Sequence, residues 1–173
     1  MPVAAVFGSA RVTDGHEEYE AGRQMGRLLG EAGWAVMTGG YLGVMEAASR
    51  GAHEAGGHVI GVTVTSWSSR HAANRWVVEE RAAPDLLSRL AELVAADALI
   101  AVGGGIGTLA EVALSWNLVQ KRHADAPIIL VGGRWERVIA TLARELVLGE
   151  DDLSHVRVVP DPATAVGLLV TLA

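Results

Sequence analysis

The sequence contains no cysteine, which removes disulfides, thiolate metal sites, cysteine nucleophiles and iron–sulfur ligation together. Lysine is almost as scarce, because thirteen of the fourteen basic residues are arginine and Lys121 stands alone. Any chemistry that needs an amine side chain must use that residue. Proline is rare too: five prolines against 21 glycines suit tight turns between regular elements and exclude collagen-like or disordered composition. Long hydrophobic runs are missing. The uncharged stretch 98–110 is too short and too glycine-rich for the roughly 20 apolar residues of a membrane helix, so no membrane partner is expected. The opening MPVAAVFGSAR lacks the basic start, apolar run and cleavage site of a secretory signal, and the expected location is cytoplasmic. Positive charge is in deficit, with 14 basic against 20 acidic residues and a net charge of −6. That balance disfavours a phosphate-backbone binder, so no nucleic acid partner is expected, although a local arginine can still grip a small anion. The six histidines form no H-E-x-x-H pattern, and His53 and His58 do not share an i, i+4 spacing, so no metal site is expected.

What the sequence does contain is alternation. At 173 residues, half of them hydrophobic, the chain reads as a single domain spanning 1–173. Val3 to Phe7 is a short apolar run ending at Gly8, the mark of a strand buried on both faces. Glu18 to Ala32 then places Met25, Leu28, Leu29 and Ala32 at helical spacing. Trp34–Thr38 and His58–Val64 read as further strands, with a helix over Gly43–Ala55 between them. Thr65 to Pro84 shows neither period and reads as a long functional loop. A helix over Asp85–Ala96, a strand over Ala98–Val102 and a helix over Leu109–Gln120 follow. A strand over Pro127–Val131, a helix over Trp135–Leu148, a strand over Val156–Val159 and a helix over Ala163–Leu172 complete the pattern. Six strands alternating with helices predict an α/β fold, a Rossmann-like doubly wound parallel sheet with helices on both faces.

Three strand-to-helix turns carry small residues: Gly8-Ser9, Gly39-Gly40 with Gly43, and Gly103 through Thr108. In such a fold all three lie at the carboxyl edge of the sheet, where ligands bind. Glycine lets backbone amides approach an oxygen closely, and a helix N-terminus adds the positive end of its dipole. Gly8, Ser9, Gly39, Gly40, Gly43, Gly104, Gly105, Ile106, Gly107 and Thr108 are therefore the candidate substrate- and phosphate-binding residues. The familiar nucleotide fingerprints fail, however. Thr108 stands where G-x-G-x-x-G needs its last glycine, and no acidic residue ends the strand 127–131 to hold a ribose. A Walker A loop needs Gly-Lys, and Lys121 is more than a dozen residues downstream.

The segments GSAR (8–11), TGGYLGVMEAASRGA (38–52) and GGGIGTLAE (103–111) resemble the LOG family over about Val3 to Val159. The third is close to that family's P-G-G-x-G-T-x-x-E signature, with Gly103 in place of proline. The second is similar to its G-G-G-x-x-G-x-M-G signature, with Glu46 where the signature ends in glycine. Members are often labelled lysine decarboxylases, while others are phosphoribohydrolases that release the base from cytokinin riboside monophosphates or AMP. A pyridoxal phosphate decarboxylase needs a Schiff-base lysine in a dry pocket. Lys121 sits in Gln-Lys-Arg-His at a helix end, where basic residues complement the dipole and face water. The decarboxylase label is therefore rejected and no cofactor is expected.

The resemblance implies a phosphoribohydrolase with Glu111 as the catalytic carboxylate, stabilising the oxocarbenium character that develops on ribose. From position alone, Glu111 reads equally well as an acid favouring a helix N-terminus. The family's catalytic arginine precedes the fourth predicted strand, and Arg89 is the nearest match. Counting back from Asp97 puts the usual position on Ser88, one residue and about 100° of helix rotation away. Arg81 and Arg75 are the substitutes. Ser9 and Arg11 could contact sugar or base, and Met45 reads as core. Trp67 and Trp76 could stack on a purine or cover the core. Trp116 shares a stripe with Leu109, Val112 and Val119 that is either core or a dimer face. The resemblance implies a homodimer whose small-molecule partner is a nucleotide. A second reading is a non-catalytic carrier of a nucleotide or of molybdenum cofactor, since molybdenum cofactor carriers share this fold and resemble GGGIGTLAE.

Overall fold

A computed structural model describes residues 1–67, 72–121 and 123–172, with the backbone alone for Leu172. Residues 68–71 of the expected loop and Arg122 of the Gln-Lys-Arg-His run lie outside the described residues. The strands are β1 (Val3–Gly8), β2 (Ala35–Thr38), β3 (Val59–Val64), β4 (Glu79–Ala83), β5 (Ala98–Val102), β6 (Ile128–Val131) and β7 (Val156–Val159). They form one sheet in the order β4-β3-β2-β1-β5-β6-β7, and every pair is parallel. The helices are α1 (Glu17–Glu31), α2 (Val44–Glu54), α3 (Leu86–Val94), α4 (Ile106–Gln120), α5 (Gly133–Glu145), α6 (Glu150–Ser154) and α7 (Pro162–Leu172).

Side chains that alternate along the strands divide the interior in two. Ala4, Val6, Val36, Ile100 and Val102 point to one side, where Met25 and Leu29 of α1, Val44 and Ala48 of α2 and Leu169 of α7 cover them. Ala5, Phe7, Met37, Leu99 and Ala101 point to the other, against Leu93 of α3, Val112 of α4 and Trp135 of α5. This is the expected doubly wound arrangement, and it buries β1, β2 and β5 on both faces. Trp116, with Leu109 and Val119, packs against the second cluster, and its indole N–H donates to the carbonyl of Asp152 at 2.7 Å. Of that stripe Val112 is buried, while Leu109, Trp116 and Val119 are half-buried.

Two departures from the sequence expectation concern the stretch 65–84 and the helix after the third glycine turn. Glu79–Ala83 is a strand, paired in register with β3. Its sequence, EERAA, has no apolar run, because an edge strand has one neighbour and leaves charged side chains in water. Helix α4 begins at Ile106 rather than Leu109, so Ile106, Gly107 and Thr108 form its first turn.

The order of strands reverses between β1 and β5. In open parallel sheets ligands bind beyond the carboxyl ends of the strands at such a reversal. Here that position is bounded by the turns that follow β1 and β5.

Candidate functional site

At that position the structure has a cavity of about 960 Å³, to which the turns after β1, β2 and β5 each contribute. Gly8, Ser9, Gly39, Gly105, Ile106, Gly107 and Thr108 line it, and so do Arg89 and Glu111. The other three glycines proposed from sequence sit elsewhere. Gly40 is buried, and its carbonyl accepts from the backbone and side-chain amides of Asn74 at 2.7 and 3.1 Å. Gly104 packs against the side chain of Thr108, behind the wall. Gly43 lines a neighbouring, smaller cavity. At φ +72°, a conformation that favours glycine, it lies so close to the Ser9 carbonyl that a Cβ would collide with it. Its task is to bring the first two turns together.

The N-terminus of α4 supplies the donors. Gly105 caps the helix without a side chain, and the first intrahelical bond of this turn is donated by Leu109 to the Gly105 carbonyl. The amides of Ile106, Gly107 and Thr108 therefore have no helical acceptor, and the helix dipole adds its positive end where they point. An anion with several oxygens fits this arrangement.

Arg89 is on the inward face of α3, one turn before the fully buried Leu93. Asp85 fixes that register by accepting from the Ser88 amide at 2.9 Å as the N-cap of α3. Ser88 is held by the same carboxylate, its hydroxyl donating to Asp85 at 3.1 Å, and it does not line the cavity. The guanidinium of Arg89, in a residue only 6% exposed, donates from Nε to the Val62 carbonyl at 2.7 Å and from Nη2 to the Gly39 carbonyl at 3.0 Å. Burial pulls its pKa below the ordinary arginine value, but an arginine remains charged. Nη1 has no hydrogen-bond partner among the described residues.

Glu111 projects from the second turn of α4 into the same cavity. Its carboxylate makes no hydrogen bond among the described residues. Burial pushes its pKa up to about 7, against the weaker opposing pull of the Arg89 charge. A carboxyl in that range sits at the boundary between acid and base at neutral pH.

The substitutes for Arg89 do not line the main cavity. Arg81 pairs with Glu79 at 2.6 Å and Glu92 at 3.4 Å, and Arg75 faces the smaller cavity. Met45, expected in the core, instead lines the main cavity with its sulfur 3.7 Å from Nη2 of Arg89. Trp67 also lines it, its ring centroid 5.9 Å from that of Tyr41, whereas Trp76 lines the smaller cavity. Sequence reasoning gave Tyr41 no role, yet the Arg89 guanidinium lies 5.5 Å from the centre of its ring. Asn74 was missed as well. It ties the segment after β3 to the Gly40–Tyr41 turn, and no motif marks it. Among the described residues, no three His, Cys, Asp or Glu side chains cluster to hold a metal ion, and no helix is long and apolar enough to cross a membrane.

Residues 1–145 match the SLOG cluster4 family. A probable cytokinin riboside 5′-monophosphate phosphoribohydrolase of Oryza sativa subsp. japonica is 31% identical over 86% of this chain and 62% of its own length. A second rice cytokinin riboside 5′-monophosphate phosphoribohydrolase, LOG, is 39% identical over 68% of this chain and 50% of its own. The chain thus spans between half and two thirds of the length of these relatives. A solved molybdenum cofactor binding protein from the phototrophic bacterium Rippkaea orientalis superposes with a TM-score of 0.80 at 26% identity, covering 99% of this chain and 96% of that one. Sequence match and backbone agree: the chain belongs to the SLOG cluster4 family, with the LOG proteins among its relatives.

Proposed function

We propose that the protein is a phosphoribohydrolase that cleaves the N-glycosidic bond of a purine nucleoside 5′-monophosphate, of AMP or cytokinin type, to free base and ribose 5-phosphate. In this reading it works on a free nucleotide as a single-domain cytoplasmic homodimer, without cofactor or metal. The observation that carries the reading is that Glu111 and Arg89, both withdrawn from water, share one cavity with the uncapped N-terminus of α4.

The amides of Ile106, Gly107 and Thr108 hold the 5′-phosphate, and Arg89 Nη1 orients the sugar. As the bond from C1′ to the base nitrogen breaks, positive charge builds on the ribose, and the Glu111 carboxylate stabilises it while orienting the attacking water. Water adds at C1′, its proton passing to solvent by way of Glu111, and the leaving base takes up a proton. Tyr41, Trp67 and Met45 form an aromatic and thioether wall on which a purine ring can stack.

The experiment incubates the purified protein and its Glu111→Gln variant with AMP and with N6-modified AMP, and quantifies free base by chromatography. Release by the wild type and loss of about 10²-fold or more in the variant are expected. Because the carboxylate is the working form, kcat/KM rises with pH through about 7. A rate that falls over that range would assign Glu111 the opposite role, as acid.

The likeness to a molybdenum cofactor binding protein over 99% of this chain favours a second reading, a non-catalytic carrier. No base release by folded protein, together with a cofactor that co-purifies and stays bound in Glu111→Gln, would establish the carrier in place of the hydrolase.

A further inference from the structure

Beside the main cavity lies a second, of about 430 Å³, and the two share Ala10, Arg11 and Leu42 as a common wall. Its charged lining is Arg11, Arg50 and Arg75 against Asp14 and Glu46. The three arginines differ in how far their charge is already used. Arg50 pairs with Asp14 and with Glu54, each at 2.9 Å. Arg11 and Arg75 reach no carboxylate among the described residues. The lining sets three guanidiniums against two carboxylates, so in a chain of net charge −6 this opening is a local reversal of sign.

Arg75 is exposed, but it does not sit on loose chain. Its guanidinium lies 4.3 Å from the centre of the Trp76 ring, and that of Arg50 lies 5.8 Å from it. The preceding residue, Asn74, is buried. The Asn74 side chain donates to the carbonyls of Gly40 and Tyr41 and accepts from the Trp76 amide at 3.2 Å. Backbone and side chain are thus ordered before any ligand arrives, which lowers the entropy lost on binding.

We propose that this second cavity is an anion subsite for the ligand of the main cavity. It accepts a second phosphoryl group, carried by a nucleotide besides its 5′-phosphate. Arg75 and Arg11 donate to the phosphoryl oxygens, Arg11 from the wall the two cavities share, and Glu46 accepts from a hydroxyl of the same ligand. The inference rests on the nucleotide reading of the main cavity, and AMP alone tests that reading separately.

Calorimetric titrations of wild type, Arg75→Ala and Arg75→Lys with AMP, ADP and adenosine 3′,5′-bisphosphate make the test. For the wild type, at least one of the two doubly phosphorylated probes binds about tenfold tighter than AMP. ADP being the tighter places the second group next to the first, and the 3′,5′-bisphosphate places it across the sugar. Arg75→Ala loses that advantage and keeps its affinity for AMP, while Arg75→Lys retains part of it. Equal affinity for all three probes, or an advantage that survives Arg75→Ala, overturns the subsite while leaving the main cavity's reading intact. Binding of none of the three by folded protein overturns both.

Discussion

Glu111 is a residue whose proposed work and whose cost to the fold come from the same cause. Burial raises its pKa to about 7 from an ordinary value near 4.3 in the unfolded chain. The folded state therefore holds its proton more tightly than the unfolded state does. The stability this confers is full below the unfolded pKa and is lost as pH rises through about 7. Glu111→Gln, which cannot ionise, should be more stable than wild type at pH 8 by on the order of 2–3 kcal/mol, with the difference shrinking towards pH 5. Thermal unfolding of the two proteins at both values measures it. Burial disfavours the charge of Arg89 as well, but its guanidinium hydrogen-bonds two backbone carbonyls, so removing it costs stability. Arg89→Ala leaves Val62 and Gly39 with unpaired buried oxygens and should cost about 2–4 kcal/mol, read from denaturant midpoints. Arg89→Lys, lacking the planar fork, should recover only part of that loss.

At the scale of elements, α1 and α2 are packed backbone to backbone. A Cβ on Gly26 would collide with the Ala48 carbonyl, and one on Gly51 with the Arg23 carbonyl. Gly26→Ala should therefore destabilise by about 1–3 kcal/mol. Gly167→Ala in α7, where nothing lies within 4 Å of the added carbon, should stabilise by about 0.4–1 kcal/mol. Chemical denaturation of the two variants side by side tests the contrast. This scale also shows what a sequence can and cannot reveal. Strands β1, β2, β3 and β5 were readable because burial on both faces demands continuous apolar runs. Strand β4 was not, because its one-sided pairing permits EERAA. The three glycine turns marked the correct edge of the sheet. Which glycines line the cavity was hidden, since Gly104 and Gly40 serve the turn's own geometry. The direction of Arg89 was equally hidden, because it depends on where Asp85 starts α3, and a one-residue change there turns the side chain by about 100°. Met45 misled for another reason: an apolar side chain on a helix facing the sheet reads as core, whereas the amino-terminal end of α2, where Met45 sits, opens on the cavity.

For the molecule as a whole, the ligand's position follows from topology. Three turns from three different βα units meet in one cavity, so a bound nucleotide ties together segments far apart in sequence. A nucleoside monophosphate that binds only the folded state should raise the unfolding free energy by about 2.7 kcal/mol at a hundred times its Kd. Scanning calorimetry with and without AMP should show the shift in Tm, and an unchanged Tm at that concentration would count against the nucleotide site. Arg89 has a further meaning at this scale. The group proposed to orient the ligand is also the strut that ties helix α3 to β3 at Val62 and to the turn after β2 at Gly39. The Glu111 carboxylate, by contrast, makes no hydrogen bond among the described residues. In a relative that did not use the proposed catalysis, Glu111 would be free to drift while the scaffold still demanded Arg89. An idle cousin would then be recognised by a retained arginine facing a lost carboxylate.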